Sequence, residues 1–282
     1  MVLDLSIVTV NINNRKLLKE CLASVYQHTH KISFEIIVSD NGSTDGSQAM
    51  VKADFPKVNL IDNQDNLGFI KASNQGLSIY RGRYAILLND DTVVRDGALD
   101  KMVEFMDHHS AAGACGAKLL NVDGTIQHQG GIFGRRFWQA QQPVTVDFVI
   151  GAALMVRREV IDKVGILDEN LFFYNDDLDW CRSIRRAGWK IYFLPQAEIV
   201  HYGGYSSRRT FKARLFIEGF KGGLYYCRKH YGEPAFHLYR FLLVLVLAIA
   251  LPFQLFNPEK LKAYWEIVKI SWHGQIPKPV LK

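Results

Sequence analysis

Two adjacent carboxylates after an apolar run offer the clearest chemistry in this sequence. Asn89, Asp90 and Asp91 directly follow the run Tyr84 to Leu88. Hard oxygen ligands of this kind hold Mg²⁺ or Mn²⁺, and such an ion can bridge the oxygens of a diphosphate. Asp91 is the first choice for the charged ligand. The alternative is that this Asp-Asp-Thr segment only caps the helix that follows.

A second acidic segment is suited to general base catalysis. Asp176, Asp177 and Asp179 lie in a short stretch that opens a predicted helix. Acidic residues are favourable in a first helical turn, so at least one of them can be purely structural. A carboxylate in a cleft near other acids has its proton affinity raised toward the range useful to a base. His201, 24 residues past Asp177, is either a nitrogen ligand for the metal or a structural histidine after a strand.

Polar residues also follow the first two predicted strands. Asn11 begins the stretch after the first strand, and Asp40 begins the stretch to Ser47 after the second. A carboxylate in that position can accept hydrogen bonds from ribose hydroxyls or from a base N–H. No G-x-G-x-x-G follows the first strand and no G-x-x-x-x-G-K-[ST] loop occurs, so NAD binding and P-loop phosphoryl transfer are disfavoured. The alternative is that these loops consist of ordinary turn and capping residues.

Alternating strands and helices must position these side chains. Through the first 108 residues, apolar strand runs alternate with amphipathic stretches, which predicts βαβ crossovers and a parallel sheet. The predicted elements are Leu5 to Val10, a helix with Leu18, Cys21, Leu22 and Val25 on one face, Phe34 to Val38, Gly46 to Ala53, Val58 to Ile61, Phe69 to Tyr80, Tyr84 to Leu88 and Ala98 to His108. Open sheets of this kind bind ligands at the carboxyl ends of their strands.

The following part of the chain has a different pattern. Glycines break short strand-like pieces between residues 110 and 156, which indicates a mixed or antiparallel extension of the sheet. A helix is predicted from Asp176 to Ala187, and a strand from Lys190 to Leu194 that ends at Pro195. From Phe211 onward the pattern is helical and aromatic.

Composition and charge exclude several classes of protein. At 48% apolar and 22% charged, the 282 residues are not those of a disordered, collagenous or coiled-coil chain. Residues 205–282 contain 13 Lys and Arg and 4 Asp and Glu, a net +9, whereas residues 1–204 contain 21 and 24, a net −3. The basic part is expected to meet phosphate, in a nucleic acid or on an anionic membrane. Four cysteines without a C-x-x-C pair, and Asp4 with no basic residue before the first apolar run, favour a cytoplasmic protein.

An apolar run lies within this basic part. Phe241 to Leu251 is uninterrupted over 11 residues, with Arg240 before it and Lys260 and Lys262 after it. Because a transmembrane helix needs about 20 apolar residues, this run is predicted not to span a bilayer. The basic flanks and many tyrosines and tryptophans favour attachment to an anionic membrane surface. Packing onto the catalytic domain is the alternative.

Taken in order, these motifs resemble family 2 glycosyltransferases of the GT-A fold, particularly the rhamnosyltransferase-like and galactofuranosyltransferase-like members. The resemblance covers about residues 3 to 210. It is carried by Ser6–Asn11, Phe34–Ser47, Asn66–Phe69, Leu87–Thr92, Gly151–Arg158 and Phe172–Trp189. It implies an α/β GT-A catalytic domain over residues 1–210, with a Rossmann-like, open and mostly parallel sheet, and a basic, aromatic helical appendage over residues 211–282.

The resemblance also implies roles for individual residues. Asp177 matches the catalytic base, and His201 matches the histidine that completes a Mg²⁺ or Mn²⁺ site with Asp91. Asn89 stands where the first Asp of the D-x-D motif often lies. The residues implied to bind the nucleotide-sugar are Thr9, Asn11, Asp40, Asn66, Lys71, Asn89 and Asp90, with Lys71, Arg208 or Arg209 helping to stabilise the departing diphosphate.

The function implied is that of an inverting, metal-dependent hexosyltransferase peripheral to the inner face of the cell membrane. It would move a sugar from dTDP-rhamnose or a UDP-sugar to a hydroxyl of a glycan or lipid-linked acceptor in cell-surface polysaccharide synthesis. A non-catalytic nucleotide-sugar or glycan binding module is the alternative. Nucleic-acid binding is disfavoured, because no recognisable motif is present and the aromatics lie beside a long aliphatic run. The identity of the donor, the acceptor and the oligomeric state stay open.

Overall fold

The computed structural model of the chain describes residues 3–129, 136–171, 175–203, 213–254 and 256–274. The strands are β1 (Leu5–Asn11), β2 (Phe34–Asp40), β3 (Asn59–Asp62), β4 (Tyr84–Leu88), β5 (Thr92–Val94), β6 (Ala112–Leu120), β7 (Val144–Val146), β8 (Ala153–Arg157) and β9 (Lys190–His201). The helices are α1 (Arg15–His28), α2 (Ser47–Asp54), α3 (Phe69–Ile79), α4 (Ala98–His108), α5 (Arg158–Val164), α6 (Asp176–Arg186), α7 (Ala213–Ala250) and α8 (Pro258–His273). The chain divides into a first unit, Met1–Leu167 with Asp177–Gly204, and a second unit, Asp168–Asp176 with Tyr205–Lys282.

One mixed sheet forms the centre of the first unit. Its strand order is β3-β2-β1-β4-β8-β6-β9-β5, and β7 also pairs with β9. The pairs β1–β2, β1–β4, β2–β3 and β6–β9 are parallel, while β8 is antiparallel to both β4 and β6. The predicted α/β open sheet with a mixed extension after residue 110 is therefore confirmed.

Hydrophobic periodicity explains why these elements form. In α1, the residues Leu18, Cys21, Leu22 and Val25 recur at helical spacing, and all four are buried against the sheet core as predicted. The strand β4 is buried at every position, as expected for a sheet that is covered on both faces. Burial of both faces leaves the strand ends as the part of the sheet that is free to bind ligands.

The strand directions bring the ends of six strands to a single edge of the sheet. The carboxyl ends of β1, β2, β3, β4, β6 and β9 lie at this edge, because these strands run in one direction. The strand β8 runs the opposite way, so its amino end, preceded by Gly151, lies at the same edge. We call this the carboxyl edge.

Two features of β9 differ from the prediction. The strand does not end at Pro195 but continues to His201. A register shift in its pairing with β6 lies between the partners Ala117–Leu194 and Lys118–Glu198, so Pro195 falls in an irregularity of the ladder. Proline is tolerated at such a bulge because no ladder hydrogen bond from its nitrogen is needed there. The short strand β5, which was not predicted, pairs with the end of β9.

The second unit contains a helical hairpin. Its long helix α7 is broken at Gly232, whose φ of 81° lies in the left-handed region, and Pro234 follows. Both segments of α7 pack in one apolar cluster with α8. The cluster consists of Leu224 before the break, Phe236, Leu243 and Leu247 after it, and Ile267 and Ile270 of α8. By length and composition alone, Ala213–Gln254 is long and apolar enough to cross a membrane.

Candidate active site

The pairing of β5 with β9 places His201 beside Asp91. Thr92 and His201 are direct partners in this antiparallel ladder. His201 Nε2 lies 3.3 Å from Asp91 Oδ1, and both side chains are almost fully buried, at 12% and 10% exposure. Asn89 also reaches this point, with its Nδ2 3.4 Å from His201 Nε2. The two predicted metal ligands thus lie together at the carboxyl edge.

A residue that sequence reasoning missed holds the other side of the His201 ring. Gln127 is buried, and its Oε1 lies 2.7 Å from His201 Nδ1. Gln127 is reached through a turn after β6, where Gln127 N donates to the carbonyl of Leu119. Nothing in the sequence distinguishes this glutamine from its neighbours, since its importance follows only from the pairing of β6 with β9.

The Asp90 carboxyl lies close to other acidic groups. Burial, followed by the charges of Asp91 and Asp40, raises the pKa of the Asp90 carboxyl to about 8, although a hydrogen bond from Asn14 opposes the shift. Among the described residues, no Lys or Arg forms an ion pair with Asp90 or Asp91. The carboxylates after β4 therefore lack a protein cation that would compensate their charge.

The donor set fits a divalent cation. Asp91 supplies a carboxylate oxygen and His201 an imidazole nitrogen, and a cation at this point would offset the burial and the repulsion that raise the pKa of Asp90. Within the described ranges, no group of three His, Cys, Asp or Glu side chains converges on one point. Mg²⁺ typically takes only one or two protein carboxylates and completes its shell with water and substrate phosphates. These residues therefore suit an ion completed by a diphosphate rather than an ion caged by protein alone.

The nucleotide side of the edge is formed by β1 and β2. Asp40 is fully buried and accepts four hydrogen bonds, from Asn11 Nδ2 at 2.6 Å, Ser43 N at 2.8 Å, Ser43 Oγ at 2.7 Å and Gln48 Nε2 at 2.7 Å. These bonds occupy the lone pairs of the carboxylate. In this structure Asp40 therefore shapes the loop after β2, and its direct contact with a ribose or base stays a prediction.

Two buried polar atoms of β1 have no hydrogen-bond partner among the described residues. Thr9 Oγ1 and Asn11 Oδ1 make no hydrogen bond within the described part of the chain, although both side chains are almost completely buried. A buried hydroxyl or amide oxygen without a partner costs about 1–3 kcal/mol. Such a cost is typical of a position where a ligand supplies the missing bond.

The other predicted binding residues are less closely joined to this edge. The exposed Asn66 accepts a hydrogen bond from Gly68 N at 2.9 Å and so orders the entry to α3. Lys71 lies in the first turn of α3 and is partly exposed. Among the described residues, neither side chain is hydrogen-bonded to Asp40, Asp91 or Asp177. Arg208, Arg209 and the segment 172–174 lie outside the described residues.

Asp177 lies at the start of α6 beside the amino end of β8. Its Oδ2 accepts a hydrogen bond from Gly151 N at 3.2 Å and its Oδ1 accepts one from Leu178 N at 2.8 Å. Burial of the carboxyl raises its pKa, although these backbone donors oppose the shift. The residue keeps part of its surface open, whereas Asp176 and Asp179 are buried. Asp177 is therefore the accessible carboxylate of the three and has an increased proton affinity.

This sheet and its carboxyl edge define a GT-A glycosyltransferase fold. A mannosyltransferase from Pyrobaculum calidifontis, solved with GDP-Man and Mn²⁺, matches at a TM-score of 0.63 and 14% identity over 98% of this chain and 89% of that chain. GalNAc-T7, solved with UDP, GalNAc and Mn²⁺, matches at a TM-score of 0.65 and 16% identity over 99% of this chain and 59% of that chain. The predicted GT-A fold is confirmed.

The chain belongs to glycosyl transferase family 2, whose family model matches residues 6–165. A Mycobacterium tuberculosis protein named N-acetylglucosaminyl-diphospho-decaprenol L-rhamnosyltransferase is 26% identical over 73% of this chain and 78% of its own length. TuaG of Bacillus subtilis, a putative teichuronic acid biosynthesis glycosyltransferase, is 30% identical over 66% of this chain and 74% of its own length. The dTDP-rhamnosyl transferase RfbF of Shigella flexneri is 30% identical over 53% of each chain. The resemblance to rhamnosyltransferase-like members of the family is confirmed.

Proposed function

We propose that the protein is an inverting, metal-dependent glycosyltransferase of cell-surface polysaccharide synthesis. It transfers a sugar from dTDP-rhamnose or a UDP-sugar to a hydroxyl of a glycan or lipid-linked acceptor. The observation that carries the proposal is the placement of Asp91 with His201, and of Asp177 with Gly151, at one edge of the sheet. The names of the relatives that act on rhamnose donors and in teichuronic acid synthesis support the substrate class.

In this mechanism the acceptor oxygen attacks the anomeric carbon of the donor sugar. The proton of the acceptor hydroxyl passes to the Asp177 carboxylate, while the bond between the anomeric carbon and the diphosphate oxygen breaks. Its electron pair leaves with the diphosphate, and a single displacement inverts the configuration. Burial suits Asp177 to this role because it raises the pKa of the carboxyl, and the N–H groups of Gly151 and Leu178 keep both oxygens in place.

Asp91 and His201 would hold the divalent cation, with Asn89 and Asp90 next to them. When bound, the cation supplies Lewis-acid stabilisation of the negative charge that develops on the diphosphate. Thr9 and Asn11 contribute a hydroxyl and an amide oxygen to the nucleotide, and Asp40 holds the loop that borders it.

A panel of nucleoside-diphosphate sugars, scored by nucleoside diphosphate release with Mn²⁺ or Mg²⁺, tests the proposal. We expect one donor to be hydrolysed slowly without an acceptor, and this turnover to stop when EDTA is added. A protein that binds a donor tightly but releases no diphosphate, with or without glycan acceptors, would instead be the non-catalytic binding module.

We further propose that the second unit attaches the enzyme to the inner face of the cell membrane. The segment of α7 after Gly232 turns one face toward α8 and leaves the opposite face apolar and uncovered. Its exposed side chains are Leu238, Phe241, Leu242, Leu245, Val246 and Ile249, and Phe253 and Phe256 follow in the connection to α8. Phe241 is 66% exposed and Val246 is 61% exposed. The net +9 of residues 205–282 complements an anionic bilayer.

The same hairpin favours attachment in the plane of the membrane over a spanning arrangement. The exposed side of α8 carries Glu259, Lys262, Glu266 and Lys269, which would have to enter the hydrocarbon core if the hairpin crossed it tip first. Buried charges of this kind cost several kcal/mol each. The exposed Trp265 and Trp272 suit the headgroup region instead.

Flotation with liposomes tests this second proposal. We expect the protein to float with vesicles that contain anionic lipid, and to be released by alkaline carbonate, since an in-plane attachment does not span. Failure to float at moderate salt would refute the attachment, and resistance to carbonate would show a spanning segment instead.

A further inference from the structure

We propose that Gln127 is a positioning residue that fixes the tautomer of His201, so that Nε2 presents its lone pair to the cation beside Asp91. The inference rests on the proposed metal-dependent function and adds a residue to it. Gln127 does not touch the substrate or the cation in this account. Its Oε1 contacts the imidazole ring directly, and a chain of hydrogen bonds that begins at the Asp123 carboxylate fixes the orientation of its amide.

A tight turn after β6 places the members of this chain. Asn121 N donates to Thr125 O at 2.8 Å, Gly124 N donates to Asn121 O at 2.9 Å, and Gln127 N donates to Leu119 O at 2.9 Å. Because β6 pairs with β9 in parallel up to the partners Leu120 and Val200, the residues that follow the two strands meet at the carboxyl edge.

The direction of the chain is fixed at Asp123. Thr125 N and Thr125 Oγ1 both donate to Asp123 Oδ1, at 2.9 and 2.6 Å, and these bonds lower the pKa of the Asp123 carboxyl. An ionised carboxylate can only accept hydrogen bonds. The Thr125 hydroxyl therefore donates its one hydrogen bond to Asp123, and it accepts a hydrogen bond from Asn121 Nδ2 at 2.9 Å. The amide oxygen of Asn121 is consequently the atom that faces Gln127.

The orientation of Gln127 follows from that of Asn121. Gln127 Nε2 donates to Asn121 Oδ1 at 3.2 Å and to the carbonyl of His201 at 3.3 Å. Two acceptors around the amide nitrogen leave Oε1 directed at His201 Nδ1, 2.7 Å away. Because an amide oxygen can only accept, His201 Nδ1 must carry the proton.

A neutral imidazole has one N–H, so the proton on Nδ1 leaves a lone pair on Nε2. That lone pair faces Asp91 Oδ1 at 3.3 Å. Asn89 Nδ2, which can only donate, lies 3.4 Å from Nε2 and favours the same tautomer in the metal-free protein. The repulsion between the Nε2 lone pair and Asp91 Oδ1 in turn favours a divalent cation beside them. The opposite tautomer would place the Nδ1 lone pair against Gln127 Oε1. It would also put a hydrogen on Nε2, which could then not bind a cation. In metal sites, the hydrogen bond to the second ring nitrogen commonly sets the ligand tautomer in this way.

Nitrogen NMR of the metal-free protein tests the tautomer directly. We would label histidine with ¹⁵N and assign the His201 signals by their absence from the spectrum of the His201→Gln variant. Two-bond nitrogen–proton correlations would be recorded at alkaline pH, where imidazoles are neutral. We expect the pattern of an Nδ1–H tautomer. An Nε2–H pattern for His201 in the wild-type protein would overturn the proposal whether or not any variant folds.

Two substitutions at Gln127 separate positioning from packing. Gln127→Met keeps the length of the side chain and removes the acceptor, so we expect a mixture of tautomers and Mn²⁺ binding about 10- to 100-fold weaker in electron paramagnetic resonance titrations with a nucleoside diphosphate present. Gln127→Glu keeps an acceptor at Nδ1 and should restore both the tautomer and the Mn²⁺ affinity. Equal losses in the two variants would contradict a role through the acceptor atom.

Gln129→Met is the matched control, because Gln129 is also a buried glutamine of the same segment. We expect it to leave the His201 tautomer unchanged, and a change as large as that of Gln127→Met would contradict the proposal. These measurements require no sugar donor. The wild-type protein could therefore show the Nδ1–H tautomer, and Gln127→Met the weakened Mn²⁺ binding, even if the protein transferred no sugar. That combination would refute the proposed function and leave the role of Gln127 standing.

Discussion

The carboxyl edge of the first unit and the face of α7 that points away from α8 present opposite kinds of groups. At the carboxyl edge the groups are buried and polar: Thr9 Oγ1 and Asn11 Oδ1 make no hydrogen bond within the described residues, and the acidic pair Asp90 and Asp91 has no Lys or Arg partner there. On the face of α7 the groups are exposed and apolar, since Phe241, Val246 and Ile249 are each more than 60% exposed. Each kind of group is costly in the isolated chain, and each indicates the chemistry of what covers it.

This difference supports the separate tasks proposed for the two units. A polar, acidic edge on a rigid sheet is suited to a nucleotide-sugar and a cation, whereas an apolar helix face within a basic segment is suited to a lipid surface. The comparison predicts that substitutions in the first unit change catalysis without changing membrane binding, and that substitutions on the exposed face of α7 do the reverse.

The largest effect is expected at Asp177, the proposed catalytic base. Asp177→Asn removes the proton acceptor and should lower kcat about 10²- to 10⁴-fold, because this is the range of general base contributions. Donor affinity should stay near that of the wild-type protein when measured by calorimetry. Asp54→Asn, at an exposed carboxylate paired with Lys19, is the control. Transfer at a substantial fraction of the wild-type rate would refute the assignment of Asp177.

The next largest effect is expected at the metal end of the site. Asp91→Ala should remove the stimulation by Mn²⁺ and lower the rate at least about 100-fold, which corresponds to about 3 kcal/mol of lost charge stabilisation. The rate is measured over a Mn²⁺ titration, with liposome flotation as the control that should not change. Metal stimulation like that of the wild-type enzyme would contradict the role of Asp91.

Acid should inactivate the enzyme through Asp177. Its carboxyl must be ionised to accept a proton, and burial raises its pKa, so kcat/KM should fall about tenfold per pH unit as the pH decreases through that raised pKa. The fall should begin above the ordinary aspartate value of about 3.9. A pH profile of kcat/KM checks this. A flat acidic limb, or the same limb in the residual activity of Asp177→Asn, would oppose the interpretation.

A polar substitution on the uncovered face of α7 should weaken membrane binding. Val246→Ser with Ile249→Ser removes two exposed apolar side chains and should reduce the fraction bound to anionic vesicles at least about tenfold. Transfer to a soluble acceptor should not change. Ile79→Ser, at an exposed apolar residue of the first unit, is the matched control and should float like the wild-type protein. An equal loss of vesicle binding in both variants would show that the exposed face of α7 is not the membrane-binding surface.

The smallest effect is expected at Thr9. Thr9→Val replaces a buried hydroxyl that has no partner within the described residues by a methyl group of similar size, so Tm should stay constant or rise. Nucleoside diphosphate binding should weaken about three- to tenfold, the value of one hydrogen bond of about 0.5–1.5 kcal/mol. Calorimetry measures the affinity and thermal melting the stability. A clear fall in Tm with unchanged affinity would show that the hydroxyl serves the fold instead.

Periodicity was sufficient to predict most of the first unit. The strand Tyr84–Leu88 and the helix Ala98–His108 have the bounds predicted from their apolar patterns, and the four residues predicted on the inner face of α1 are all buried. These predictions succeed because the period of burial is a local property of the sequence. The role of the loops as one edge followed from the alternation of strands and helices.

The missing parts depend on contacts between distant segments. The three-residue strand β5 is too short to show a period, yet its pairing with β9 is what places His201 beside Asp91. Pro195 argued against a longer strand, because a bulge is not visible in sequence. Gln127 becomes meaningful only through its distance to a ring 74 residues away along the chain. Similarly, α7 is kinked at Gly232, and this kink separates the segment with the exposed apolar face from the rest of the helix. The kink is seen in the backbone conformation of Gly232 and was not predicted from the sequence.

The most direct test of the account is the position of Mn²⁺ in crystals of the wild-type protein grown with a nucleoside diphosphate. Anomalous diffraction above and below the manganese edge locates the ion independently of the rest of the density. We expect one peak between Asp91 and His201, in contact with Asp91 Oδ1, His201 Nε2 and the diphosphate. A bound diphosphate with no manganese at that position, or with manganese bound at Asp177 instead, would contradict it.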